Sequence, residues 1–223
     1  MKITSSVLAL MLAVSVALTA EKYLSKPYSE WSENDVKNIL SRSPGVKSGE
    51  LAIETGARPS VGGTGGPPNQ VTKDQEKAGE ALRYVPYKIV WYTKIPRLAA
   101  IRERVLQGSL TPENAAVHAQ AQPEEAWRFA LESQILGRMS PDRIQEATKT
   151  TRLIRDDGAA IEAQKIQAGK QMVYFLFPLQ GADGKPFLTE ESKKLTFETK
   201  ALGSLMRHSF KISDCLVNGK LER

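Results

Sequence analysis

The sequence predicts an α+β fold: a mostly antiparallel sheet with helices packed on one face, preceded by a short N-terminal helix and a disordered linker. Three observations carry this expectation. Helix-start signatures at Ser32, Thr111-Pro112 and Ser140-Pro141 fall in the front and middle of the chain. Apolar and polar residues alternate at the back, around Leu195, Phe197 and Thr199 and again around Met206, His208, Phe210 and Ile212, the pattern of antiparallel strands with one wet face. From Thr55 to Gln70 the composition turns to glycine and proline, with almost nothing to bury.

The chain opens on a basic Lys2, an apolar run from Val7 to Leu18 and small residues after it, which reads as a cleavable secretory signal over residues 1–20. Cleavage is placed after Ala20, with Ala17 as the other site. The run is shorter than the roughly 20 residues that span a bilayer, and no later stretch is apolar enough, so no transmembrane anchor is expected after signal cleavage. A periplasmic or secreted protein follows. Its parts are a segment over 21–54 with a short amphipathic helix, a flexible linker over 55–80, and an α+β domain over 81–223.

Within the first part, Trp31-Ser32-Glu33-Asn34-Asp35-Val36 has the spacing of a capping box. Ser32 accepts from a free amide, Asp35 reaches back, and Trp31 and Val36 are placed as a hydrophobic staple. The helix continues through Ile39 and Leu40 and stops before Pro44. Being short, it must dock to persist, on its own domain or on a partner. In the linker, Gly62, Gly63, Gly65 and Gly66 lack the Gly-Lys-Ser/Thr that a phosphate loop needs.

The folded part begins near Tyr84. Tyr87 to Thr93 is β-branched and aromatic with apolar residues on both faces, a well-covered strand. Pro96 ends it and opens a helix from Arg97 to Gln107, striped by Leu98, Ile101 and Val105 and stopped by Gly108. Thr111-Pro112-Glu113 caps an Ala-rich helix through Val117 and His118. Trp127, Phe129 and Leu131 alternate as in a strand over Ala126–Ser133, although the surrounding Ala, Glu and Gln would accept a helix. Ser140-Pro141-Asp142 starts a further helix through Ile144 and Ala147 to Thr151, and Asp157-Gly158 turns out of it. Ile161–Gln167 is a weak strand, Gly169-Lys170 a turn, and Met172 to Phe177 a strong buried strand ended by Pro178. A polar loop with Gly181, Asp183, Gly184 and Pro186 leads to the alternating strands, and Asn218-Gly219 makes a last tight turn.

Chemistry-bearing residues do not gather into a motif. The chain has 2 histidines: His208 shares a strand face with Met206, Phe210 and Ile212, and His118 sits in the Ala-rich helix. Neither belongs to a spacing that holds a metal. Gly-x-Ser-x-Gly is absent. Cys215, the lone cysteine, cannot close an internal disulfide and reads as a small buried hydrophobe. The pairs Glu124-Glu125, Asp156-Asp157 and Glu190-Glu191 fall at turns or helix starts, where acids suit the exposed amides. No catalytic residue, metal ligand or cofactor site is therefore assigned. Losing the signal removes Lys2 from 31 basic side chains and nothing from 25 acidic ones, leaving about +5. The charges are mixed along the chain, which argues against nucleic acid as a partner. Aromatic residues crowd the first part of the mature chain, and Tyr28 and Trp31, which precede the linker, are the candidate binding residues.

Lys26-Pro27-Tyr28-Ser29-Glu30-Trp31-Ser32, followed by Asp35-Val36, Leu40 and Ser43-Pro44, resembles a group of exported proteins known chiefly from Acidobacteria and without an assigned activity. The resemblance continues at Val90-Trp91, Pro96-Arg97 and Phe177-Pro178, and from Phe197-Glu198-Thr199-Lys200 to Asn218-Gly219-Lys220-Leu221. It implies a shared fold and export and carries over no catalytic residue. Where that group has Ser-Pro-Trp after the helix, this chain has Ser43-Pro44-Gly45. The expected function is a non-catalytic binding or assembly protein with an envelope or extracellular protein or polymer as partner, its contact surfaces the Tyr28/Trp31 helix and an exposed sheet edge. The alternative is a small hydrolase of such a polymer, with carboxylates brought together by the fold.

Overall fold

The computed structural model describes Tyr23 and residues 25–54, 82–121, 125–138, 140–169 and 171–221. The secretory signal expected over 1–20 and the linker expected over 55–80 lie outside the described residues.

Ser32 opens helix α1 (Glu33–Arg42) with the full capping box: its hydroxyl accepts from the Asp35 amide, and the Asp35 carboxylate accepts from the Ser32 amide. Strands β1 (Val46–Glu54) and β2 (Leu82–Trp91) follow, then α2 (Lys94–Leu106) and α3 (Pro112–Gln120), the latter capped by Thr111 with proline in its first turn. Next come β3 (Ala126–Ser133), a short 3-10 turn, α4 (Pro141–Lys149) capped by Ser140, and strands β4 (Arg152–Arg155), β5 (Ala160–Glu162), β6 (Lys165–Ala168) and β7 (Met172–Pro178). The chain closes with β8 (Lys194–Thr199), β9 (Met206–Lys211) and the single turn α5 (Ile212–Cys215).

The class is α+β, and the strands divide into two antiparallel sheets rather than one. The first, sheet A, has the order β1-β2-β3-β7-β6; the second, sheet B, has the order β5-β4-β8-β9. Their inner faces meet in one core. Ile89, Trp91, Phe129, Leu131, Phe175 and Phe177 come from sheet A, and Leu153, Leu195, Phe197 and Phe210 from sheet B. Phe129 stacks on Trp91 at 5.6 Å and on Phe197 at 5.2 Å, so one ring bridges the two sheets.

The helical layer covers the outer face of sheet A. Helices α1 and α2 pack on each other around Trp31, Val36, Ile39, Leu40 and Ala99, and Lys88 of β2 lines a cavity together with Val36, Leu40 and Glu103 of these helices. Val90 and Ala130, which point away from the inter-sheet core, are fully buried on this side.

Three elements depart from expectation. Val46–Glu54, given no element from its sequence, pairs with β2 over its whole length, so the expected N-terminal segment supplies the edge of sheet A. Its Lys, Ser, Gly and Glu suit an edge strand and hide the strand periodicity. Arg152–Arg155 is too short to show a period beside a helix end. Ile161–Gln167 is two strands, because the chain changes sheets in its middle: the Ala163 amide donates to Thr151 beside sheet B, and the Gln164 amide donates to Leu176 of sheet A. At Asn218-Gly219 both residues take positive φ (51° and 74°), as a two-residue hairpin turn requires.

Candidate functional site

The β1–β2 ladder runs from Val46↔Val90 to Glu54↔Leu82, whereas the β2–β3 ladder stops at Tyr87↔Ser133. The ribbon thus projects past the rest of sheet A. Pro86 explains the stop. The Tyr92 amide donates to Arg128 of β3 while the Trp91 amide donates to Gly45, so even-numbered residues of β2 turn their amides toward β3 and odd-numbered ones toward β1. Pro86 falls on the β3 side and has no hydrogen to give. Its carbonyl accepts instead from the Ser133 hydroxyl at 3.1 Å, which closes the end of the ladder. By the same alternation Tyr84 presents its amide and carbonyl to the open side, and the residue is 63% exposed.

At the foot of the ribbon lies an open cleft of about 880 Å³ on the outer face of sheet A. Glu50, Pro86, Lys88, Glu132 and Met172 line it. Lys88 and Glu132 stand directly opposite in the register and form an ion pair at 2.5 Å. Across Lys88 from the sheet, Glu103 of α2 is raised above the ordinary carboxyl range; burial is the main cause and Glu132 adds to it, while Lys88 opposes. Of the two carboxylates that line the cleft, Glu50 and Glu132, the latter is held by its lysine.

A second polar cluster sits between β1 and β9. The Tyr87 hydroxyl lies 2.8 Å from His208 Nε2, with the rings edge to face at 5.6 Å. Gly49 makes room for it: a Cβ there would stand 2.5 Å from the Tyr87 hydroxyl oxygen. Burial, and after it Lys47, lowers the His208 pKa. Burial also raises Tyr87. The Cys215 thiol is pushed up to about 12, by burial first and Asp214 second, against Lys47. A thiol so far from ionising at neutral pH supplies no thiolate nucleophile. Tyr87 and His208 therefore latch strands together across the rim of the core.

The two sequence-derived candidates fall in the helical layer. Trp31 is 2% exposed; its indole Nε1 donates to the Tyr23 carbonyl at 3.3 Å, and its own carbonyl accepts from Arg102 Nε at 2.9 Å. Its ring packs the α1–α2 interface, and Tyr28, half-buried against the same cluster, is the member of the pair with surface to offer. His118 is exposed, and its carbonyl accepts from Arg97. The ribbon edge around Tyr84 was not singled out from sequence. A proline inside an apolar run was its signal, because a strand tolerates proline only where no neighbour needs its amide.

Among the described residues, no cluster of three or more His, Cys, Asp or Glu has the placement to hold a metal ion, and no helix is long and apolar enough to cross a membrane. No protein-family model, curated protein or solved structure matches the chain.

Proposed function

We propose that the protein is a non-catalytic binding or assembly protein of the periplasm or cell exterior, which adds an extended segment of an envelope or extracellular partner to the open edge of β2. The supporting observation is the mismatch of the two ladders: β2 continues beyond its β3 partner, carries an unpaired amide side at Tyr84, and borders a cleft large enough for side chains. Main-chain hydrogen bonds to such an edge give affinity, and pockets for alternate side chains give selectivity. The charged groups of the cleft suit recognition, because Lys88 and Glu132 are already paired and orient one another.

Tyr84→Pro tests this directly. It removes the amide on the open side and leaves the β1 ladder intact, since the Tyr84 amide faces away from β1. Tyr84→Val keeps that amide. Material captured from an envelope extract by the wild-type protein should also be captured by Tyr84→Val and be lost with Tyr84→Pro, with thermal unfolding alike in all three. Equal capture by Tyr84→Pro would sink the proposal.

A further inference from the structure

The ribbon that carries the open edge of β2 is tied to sheet B at its base by two contacts on one strand. His208 and Phe210 stand two residues apart on the inner side of β9, opposite Phe197 and Leu195 of β8. His208 Nε2 lies 2.8 Å from the Tyr87 hydroxyl of β2, and Lys47 of β1 holds its ammonium 5.6 Å from the centre of the Phe210 ring. Tyr87 is also where the β2–β3 ladder ends. From Pro86 to Leu82 the ribbon rests on its own two strands, so the Tyr87–His208 contact sits at its pivot. Gly49, opposite Tyr87 on β1, leaves the space that the hydroxyl needs to reach across.

The surroundings of His208 suit a neutral imidazole. Lys47 faces it from β1, the Tyr87 hydroxyl from β2 and the uncharged Phe197 from β8. Arg207, beside it on β9, is turned to the other face and held by Glu198. On α5, Asp214 is engaged by Lys211 at 3.2 Å and acts on the Cys215 thiol. Among the described residues no carboxylate acts on the ring, and Tyr87, raised by burial, stays a neutral hydroxyl. An imidazolium could still donate to the Tyr87 oxygen. It would, however, set a second cation beside Lys47 in a half-buried site with nothing to neutralise it. Docking of the ribbon therefore opposes protonation, and by linkage protonation opposes docking. The same charge also crowds the lysine that makes the second tie.

We propose that Tyr87, His208 and Lys47 form a pH-sensitive latch, which holds the ribbon's edge in place for its partner at neutral pH and releases it on acidification. The proposal rests on the reading of the β2 edge as the binding surface. Once released, Tyr84 is no longer fixed relative to the cleft, and an edge that is not pre-organised binds an extended segment more weakly. The sign follows from the direction of the shift. Burial, then Lys47, lowers the imidazole below its ordinary 6.5, so the hold is whole above that value and is lost as pH falls through the folded one.

The test follows the full chain by nuclear magnetic resonance from about pH 8 to about pH 5. In the wild type the His208 ring and the Tyr84 and Val85 amides should titrate with one midpoint, below 6.5. His208→Gln keeps a hydrogen-bonding side chain that cannot titrate, and there the two amides should stay still. Lys47→Met removes the like charge and keeps the stem, so the His208 midpoint should rise. A wild-type midpoint at or above 6.5, amides that ignore the ring, or amides that titrate equally in His208→Gln would each overturn the latch. These readings need no partner and so stand apart from the Tyr84→Pro experiment. Capture from an envelope extract should then fall across the same interval for the wild type and stay level for His208→Gln. Level capture by both proteins, with Tyr84→Pro still inactive, would overturn the regulation and keep the edge.

Discussion

The outer faces of the two sheets solve one problem differently. Sheet A has apolar residues on both sides of its central strands, with Ile89 and Trp91 inward and Val90 outward, and needs the α1–α2 layer as a roof. Sheet B sets mostly polar residues outward, with Ile154 the exception; these outward positions hold each other through the Arg152–Glu198–Arg207 clamp and the Thr196–Ser209 pair. Between them the interior is common property. The contrast places the bulk of the stability in the shared aromatic core and leaves each outer face available for a separate task.

The sharpest way to break that picture is through Phe129, fully buried and stacked on rings of both sheets. Phe129→Ala should cost about 3–5 kcal/mol in urea unfolding, from lost burial plus the cavity left behind. Tryptophan fluorescence, which reports Trp91 and Trp127 of sheet A and Trp31 of the helical layer, should shift its midpoint together with the far-ultraviolet dichroism of the whole protein. Two separate transitions would mean that the sheets fold as independent units.

Glu198→Gln acts on one outer face only. In the wild type, burial pushes this carboxyl up, but hydrogen bonds from Arg207 and Arg152 outweigh it and hold the pKa below the ordinary value. The amide would leave two guanidiniums facing each other with part of their acceptors gone. We expect a loss of about 2 kcal/mol at neutral pH, less than for a fully buried pair because both arginines are half exposed. An unfolding midpoint unchanged in Glu198→Gln would show that the clamp adds nothing to the hold of sheet B.

Legibility follows the same division. The capping box at Ser32 and Asp35, the caps at Thr111 and Ser140 and the Asn218-Gly219 turn depend on a few neighbouring residues, and each forms as expected. Ala126–Ser133 is a strand despite its helix-tolerant composition, because Trp127, Phe129 and Leu131 are drawn into the core by partners far along the chain. What escaped notice depends on pairing rather than on local pattern. β1 becomes a strand because β2 stands beside it, and the split between β5 and β6 exists because residues 163 and 164 bond to different sheets. The ribbon edge arises from an inequality of two ladder lengths, which no single segment encodes. The division into two sheets is likewise a property of the whole set of strands.

The smallest expected effect belongs to the roof of sheet A. One oxygen of Asp35 receives Lys26 Nζ at 2.7 Å, the Ser32 hydroxyl at 2.8 Å and the Ser32 amide at 3.1 Å, at the positive end of α1. The hydrogen bond from Lys26, followed by those from Ser32, lowers its pKa from 3.8 to about 2 against the cost of burial. A carboxyl depressed on folding contributes stability that is whole above its unfolded value and is lost as pH falls through the folded one. The window therefore lies between about pH 4 and pH 2. Discounted for the partial exposure of Lys26, the contribution is about 1 kcal/mol. Asp35→Asn keeps an acceptor for the cap and removes the charge, so it should unfold about 1 kcal/mol more easily at neutral pH and match the wild type below about pH 2. If the gap between the two proteins stayed constant down to acid pH, the carboxylate would be acting by shape alone, and the roof would owe its hold to Trp31, Val36, Ile39 and Leu40.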